Sequence, residues 1–375
     1  MNVQRVANED QLTALAPEWD CLAHGVPFRR WDWVRSWWRT YSSHRELFVL
    51  TVRDERGQLV GIAPWYTEKS GAQGRILAFL GSGEVCSDYL TVLSTKEHET
   101  VVAQAVADWL SAAAHAVDGT SENRWDLLEL EGVLAEDSVV RSLLDHMADG
   151  GCAVHRREED RCWRIILPDS LQGFLARLSK SRAKQARRLL DELEHNKGLV
   201  FQKAGCEQDP ERGLDILIDL HQRRRQSLGQ PGCFACKQFT EFVRDSARRL
   251  HAAGELELCW LELNGHPVAI DLNVVTDEAI YAYQSGIEPD ALDCSPGHLL
   301  FMAVIRDAIA SNRRIYDFLR GDEAYKSHWR GESVPLIRVR VIPARAVPRL
   351  RHGVWLAGVT MKNLLKTGRT TPGTR

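Results

Sequence analysis

Residues 255–286 read Glu255-Leu-Glu-Leu-Cys-Trp-Leu-Glu-Leu263, then Asn264-Gly265, then His266-Pro-Val-Ala-Ile-Asp-Leu-Asn-Val-Val275, and on through Ala279-Ile-Tyr-Ala-Tyr-Gln-Ser-Gly286. Asn-Gly between two apolar runs is the strongest short hairpin signal, because both residues accept the positive φ of the tight turn. The spacing predicts strands over 255–263 and 268–275, with Asp277-Glu278 turning the chain into a third strand. That strand carries Tyr281 and Tyr283 on one face. Ser295-Pro296-Gly297 then opens an apolar helix running from His298 to about Ser311. A strand follows at 314–318, and Leu319-Arg320-Gly321 leads to Tyr325-Lys326 and Trp329.

The loop before the helix has a chemical reading. Ser295 is a favoured N-cap, and Pro296 suits the first helical position, where a missing N–H costs nothing. Gly297 has no side chain, so an anion could reach the amides of Gly297, His298 and Leu299 at the positive end of the helix. From these residues alone, an ordinary capped helix is the competing reading.

The longer string shifts the balance towards an anion site. Tyr281-Ala-Tyr-Gln-Ser-Gly286, Ser295-Pro-Gly-His-Leu-Leu300 and Tyr316-Asp-Phe-Leu-Arg-Gly-Asp-Glu-Ala-Tyr-Lys326, with Trp329 behind them, resemble the CelD-like acetyltransferases of the GNAT superfamily. These are linked with cellulose and envelope polysaccharide biosynthesis and are similar to Fem-type aminoacyltransferases. The Gln/Arg-x-x-Gly-x-Gly/Ala loop typical of GNAT proteins is absent. The resemblance implies an α/β fold of tandem GNAT-like halves, with mixed, mostly antiparallel sheets flanked by helices. It also implies an acyl donor, acetyl-CoA or another acyl-CoA, bound at Ser295, Pro296, Gly297, His298 and Leu299.

The chain has 375 residues, enough for two domains. Hydrophobic residues make up 44% and charged residues 26%, the balance of a globular protein, and the net charge of −3 gives no global pull towards nucleic acid. The charge is unevenly placed. After Glu332 there is no acid, while Arg338, Arg340, Arg345, Arg349, Arg351, Lys362, Lys366, Arg369 and Arg375 are all cations. Nine cysteines lie scattered without a disulfide framework or a signal peptide before them, so a reducing cytoplasm is expected. Cys233-x-x-Cys236 has no second pair at metal spacing, and no metal is expected. Trp19, Trp31, Trp33, Trp37 and Trp38 read as core anchors of an early helical segment.

The first half reads as a worn copy of the second. Gly57-Gln-Leu-Val-Gly-Ile62 answers Gly265-His-Pro-Val-Ala-Ile270, each at a hairpin turn. Strands are predicted over 47–52, 59–66, 76–80, 89–93 and 125–130, and helices over 97–116 and 138–148. Gly81-Ser-Gly-Glu-Val-Cys-Ser-Asp-Tyr89 is a poor equivalent of the Ser295 loop, which makes this half structural or a wall of the acceptor cleft. The expected division is a first half over 1–150, a donor-binding half over 151–342 and a basic tail over 343–375.

A short strand at 163–167 precedes one long helix capped by Ser170. It presents Arg177, Lys180, Arg182, Lys184, Arg187 and Arg188 opposite a leucine stripe. A solvated face, a phosphate-bearing substrate or CoA, and a tRNA acceptor compete for those cations. Helices follow at 211–228, with a packed His221, and at about 237–253. A last strand covers 335–342. The basic amphipathic segment 350–365 is expected to dock on the protein, with an anionic membrane surface, or a polysaccharide synthase in it, as the alternative. Residues from Gly368 are expected to be disordered.

Acyl transfer to an amine needs a polarised carbonyl, a proton acceptor and a leaving thiolate. The resemblance implies polarisation by a backbone N–H within Tyr281–Gly286. The acceptor candidates are Asp317, Asp271, Glu323 and Asp322, with Asp317 favoured because it lies in the most specific motif. Tyr283 and Tyr325 are candidates to protonate the thiolate. Arg320 and Lys326 suit an anionic substrate. The resemblance implies an acyl-CoA-dependent N-acyltransferase, by direct attack of an amino-sugar or similar small acceptor, in extracellular or envelope polysaccharide biosynthesis. The alternatives are an aminoacyl-tRNA-dependent Fem-type transferase and a catalytically silent partner of a membrane polysaccharide synthase.

Overall fold

The computed structural model describes residues 1–115, 122–204 and 210–367, with side chains to residue 358. The expectation of disorder from Gly368 onward lies outside the described residues. The first half runs β1 (Asn2–Val6), α1 (Glu9–Ala14), α2 (Ala16–Trp19), α3 (Trp31–Tyr41), β2 (Arg45–Arg53), β3 (Leu59–Ser70), β4 (Gly74–Phe79), β5 (Leu93–Ser94), α4 (Glu99–His115), β6 (Leu127–Leu134), α5 (Ser138–Asp149) and β7 (Ala153–Glu158). The chain continues with β8 (Cys162–Ile166), α6 (Leu171–Arg177), α7 (Lys180–His195), β9 (Leu199–Lys203), α8 (Glu211–Ser227) and α9 (Lys237–Ala252). Then come β10 (Leu256–Leu263), β11 (His266–Val275), β12 (Ala279–Ile287), α10 (Pro296–Ala310), β13 (Ile315–Arg320), α11 (Ala324–His328), β14 (Glu332–Val334), β15 (Leu336–Ile342) and α12 (Ala346–Thr367).

The described residues form two mixed sheets flanked by helices. One has the order β1-β2-β3-β4-β6-β15-β7, with β5 beside β3, and the other β14-β8-β13-β12-β11-β10-β9. Each contains an antiparallel hairpin, a third antiparallel strand, and a parallel neighbour reached through a helix: β2-β3-β4-β6 in one, β10-β11-β12-β13 in the other. Gly57 and Gly265 sit at the corresponding turns with φ of 79° and 81°.

One strand, β15, crosses back between the halves. β8 follows β7 in the chain but inserts between β13 and β14 of the second sheet. β15 follows β14 but inserts between β6 and β7 of the first. Separating the halves would strip β15 from between β6 and β7, so the first sheet depends on chain that follows the second. The core between them is aromatic: Phe28 and Trp33 pack edge-on to Tyr281, Phe242 and Tyr283. Trp19, Trp33 and Trp37 are fully buried there.

Three local expectations change. The long helix from Ser170 breaks at Leu178, whose ψ of 158° ends α6, and the Ser179 side chain starts α7 by accepting from the Arg182 N–H. Of residues 89–93, only Leu93 pairs as a strand, because Leu90 instead donates to Gly132 beside β6. That loop closes the gap at which β4 and β6 part. α12 starts at Ala346 and docks by its first turns: the Arg340 guanidinium stacks 3.9 Å from the Trp355 ring, and His352 is buried.

Candidate functional site

The site begins with a register error in β12. Pairing with β11 runs Asp271–Ser285 and Leu272–Gln284, then jumps to Asn273–Ala282, leaving Tyr283 as an extra, bulged residue. β12 pairs with β13 only where Ala279–Tyr281 meets Ile315–Asp317. Past that point the parallel strands part. The bulged end of β12, the start of α10 and α11 then enclose a cavity of about 560 Å3. Between β4 and β6 the 87–91 loop lies against Gly132, whose carbonyl accepts the Leu90 N–H at 3.0 Å.

Asp271 lines this cavity from β11. It shares its face of the strand with Ala269, which packs with residues of α10. Its carboxylate has no hydrogen-bond or ion-pair partner among the described residues, and burial pushes its pKa up to about 7. Tyr325, on α11, lines the same cavity and is 43% exposed. Burial of its hydroxyl, and then the nearby Glu323 and Asp271 charges, keep the phenol protonated. Tyr283 also lines the cavity, but its hydroxyl donates to the Val85 carbonyl at 2.9 Å.

Asp317 is elsewhere. It is fully buried and is not a lining residue. Its Oδ2 accepts the Tyr89 hydroxyl at 2.6 Å and the Arg164 guanidinium at 3.3 Å, and its Oδ1 accepts the Leu319 N–H at 2.8 Å. Burial raises its pKa to about 6 against the pull of Tyr89 and Arg164. Arg320 borders the cavity, but its Nε donates to Asp88 at 2.5 Å and its Nη2 to the Ser87 carbonyl at 3.0 Å.

Lys326 is 2% exposed, and its ammonium donates to the carbonyls of Leu319, Arg320 and Gly321 at 3.2, 2.9 and 3.1 Å. Leu319 and Gly321 have φ of 58° and 120°, which turns those carbonyls inward, and a buried cation satisfies them. Glu323 completes the ammonium's shell at 2.9 Å, and Asp322 accepts the Trp163 indole N–H.

At the other end of the cavity, Ser295 does not cap α10 with its side chain. The chain enters from a short 3-10 turn over Pro289–Cys294, which drives Ser295 into the left-handed region at φ 53°. The amides of His298 and Leu299 bond the Ser295 carbonyl at 3.0 and 3.1 Å, so the Gly297 N–H is the open donor of the first turn. Leu299 is core, while Ser295, Pro296, Gly297 and His298 line the cavity. Burial, then the neighbouring Arg182 and His328, lower the pKa of His298, and Arg182 lies 2.9 Å from the His328 Nδ1.

The sequence reading missed the partners supplied by the first half. Asp88 and Tyr89 hold Arg320 and Asp317 across more than 200 residues, and Arg29 donates to the Tyr89 carbonyl. The sequence signal was the Gly81–Tyr89 loop itself, a run of small and polar residues too long for a plain turn.

Residues 180–327 match the family model described as an acetyltransferase (GNAT) domain. This stretch is similar to a GNAT acetyltransferase domain, which supports an acyltransferase activity. The domain holds the hairpin, the bulged β12, α10 and β13, and all but one of the cavity-lining residues. No curated protein matches the sequence. Among solved structures, FemX is 11% identical and superposes with a TM-score of 0.62, covering 90% of this chain and 97% of its own. A conserved protein of unknown function from Bacteroides thetaiotaomicron is 10% identical, with a TM-score of 0.56 over 91% and 100% of the two chains. The C-terminal domain of a putative lysylphosphatidylglycerol synthetase from Agrobacterium fabrum is 15% identical, with a TM-score of 0.54 over 93% and 96%. At these identities the likeness is one of fold, and it extends over both halves, beyond the GNAT domain. Among the described residues, no helix is long and apolar enough to cross a membrane, and no group of three His, Cys, Asp or Glu side chains converges for a metal.

Proposed function

We propose that the protein is an acyl-CoA-dependent N-acyltransferase in which Asp271 is the general base. The observation that carries this reading is the unpartnered Asp271 carboxylate, with a pKa near 7, in the cavity formed where β12 bulges away from β13. A carboxylate poised near neutrality accepts a proton most effectively at physiological pH. The acceptor amine attacks the thioester carbonyl directly, forming the N–C bond as the C–S bond breaks. Asp271 takes the amine proton, and Tyr325, whose hydroxyl is uncommitted, returns one to the departing thiolate. Backbone N–H groups of the bulged segment of β12 polarise the carbonyl.

The open Gly297 N–H, with His298, Arg182 and His328 beside it, suits the diphosphate of the donor. The resemblance to CelD-like proteins makes an amino-sugar acceptor in envelope or extracellular polysaccharide synthesis the proposed context. The test is amine-dependent release of free CoA thiol from acyl-CoAs of varied chain length. It is expected in the wild type and lost in Asp271→Asn. Absence of release with every donor, together with no thermal stabilisation by any of them, overturns the reading.

The donor end carries its own prediction. A Cβ at Gly297 would meet the Ile287 Cδ1 at 2.8 Å, and a valine would stand over the open amide. Gly297→Val is expected to weaken donor binding roughly ten- to a hundredfold, with only a small drop in melting temperature, because Ile287 ends in a flexible tip. Unchanged acyl-CoA binding by calorimetry removes this loop from the site.

A second reading keeps an aminoacyl-tRNA as donor. It is favoured by Lys180, Lys184, Arg187 and Arg188, which are exposed on α7 with no ion-pair partner among the described residues. Retention of labelled tRNA that falls steeply between low and high salt, without acyl-CoA turnover, supports it.

A further inference from the structure

α12 leaves part of its surface unused. The helix begins one turn after β15 and runs Ala346–Thr367. One side is docked: Pro348 and His352 are buried against β15, and Trp355 stacks under Arg340. Arg351 and Arg345 reach Asp126 at 3.4 and 2.7 Å. The opposite side presents Val347, Leu350 and Val354, which are 57%, 71% and 67% exposed. Their spacing of three and four residues places them on a single face. The sequence keeps that period onward with Met361 and Leu365, at positions whose side chains lie outside the description.

An apolar stripe held outward on a docked helix needs an occupant, and the charge around it says which. From Ser333 to Arg375 the chain contains nine Lys and Arg residues and no Asp or Glu. Arg345 and Arg351 are held by Asp126, which leaves the exposed Arg349 at the start of the helix and Lys362 and Lys366 near its end. A stripe of aliphatic side chains within an acid-free cationic segment matches the interface of an anionic bilayer, where apolar groups enter the acyl boundary and cations meet the headgroups.

We propose that α12 is an interfacial anchor that binds anionic lipid bilayers through Val347, Leu350 and Val354. The anchor would hold the enzyme at a membrane face. It does not rest on the reaction proposed above, because none of these residues lines the cavity.

The test is co-sedimentation of the full chain with phosphatidylglycerol-containing vesicles and with phosphatidylcholine vesicles, at low and high salt. Binding is expected to the anionic vesicles, to weaken with salt, and to fall roughly tenfold or more in L350E/V354E. The melting temperature of that variant should match the wild type, since both positions are solvent-facing. Binding that is absent, or indifferent to lipid charge, or unchanged in L350E/V354E overturns the proposal. So does a concentration-dependent dimer by light scattering that the same variant abolishes, which would assign the stripe to a second copy.

Discussion

Asp271→Asn is expected to lower turnover by roughly a hundredfold or more while leaving donor affinity near normal. The amide is almost isosteric with the carboxyl, so cavity shape survives and only the proton acceptor is lost. Wild-type kcat/KM should rise with pH through about 7, the pKa to which burial pushes this carboxyl, and the variant should lack that limb. Stability should move the opposite way. Burial lifts the group from 3.8 to about 7, so the folded state holds the proton more tightly than the unfolded chain does. The resulting stabilisation is full below about pH 4 and is lost as pH rises through about 7. At pH 8 the ionised carboxylate is a burden that the amide lacks, and Asp271→Asn should be more stable than wild type by on the order of 1–3 kcal/mol. An inactive protein that melts higher at pH 8, with the gap closing towards pH 5, is the signature to look for. A variant with full turnover removes Asp271 as the base.

What the sequence disclosed follows from how local each signal is. Asn264-Gly265 and Gly57 mark their hairpins because a turn is decided by the residues inside it. The element order from β10 to β13 follows from turn signals and apolar runs, whereas the tandem architecture came from the family resemblance and the matching Gly57 and Gly265 turns. The bulge at Tyr283 is different, since register is a property of two strands and Tyr281-Ala-Tyr283 reads equally well in either. The return of β15 to the first sheet is hidden for the same reason.

Ser295 misled because residue type favours an N-cap, while its φ of 53° is imposed by the turn before it. Lys326 and Arg320 were read as ligands for an anion. Whether a cation meets a substrate or three inward carbonyls depends on backbone torsions that composition does not carry. The break between α6 and α7 was legible in principle, since Ser179 is as good a cap as Ser170.

Asp317 shows how a specific motif and a catalytic group can part company. The residue sits in the most recognisable string of the chain, yet its oxygens are engaged by Tyr89 and Arg164 and by the Leu319 N–H. Tyr89 comes from the first half, so this contact joins the GNAT domain to the loop that closes the gap between β4 and β6. Asp317→Ala would leave the Tyr89 hydroxyl and the Leu319 N–H without their acceptor at a position of zero exposure, and the 31% exposed Arg164 without its counter-charge. Leaving these buried donors unmatched costs roughly 2–4 kcal/mol. Tyr89→Phe removes the hydroxyl alone and should cost about 1–2 kcal/mol.

Because the two side chains touch, the double variant should cost less than the sum of the singles, with a coupling of about 1 kcal/mol or more. Turnover per folded molecule, measured well below the melting temperature, should survive in both single variants, since neither residue lines the cavity. Chemical denaturation followed by both tryptophan fluorescence and circular dichroism decides the matter. Because β15 returns from the end of the second sheet to lie between β6 and β7, one cooperative transition that shifts as a whole is expected. A stable Asp317→Ala protein with collapsed turnover would make Asp317 the base after all, and Asp271 would become a buried acid without a role.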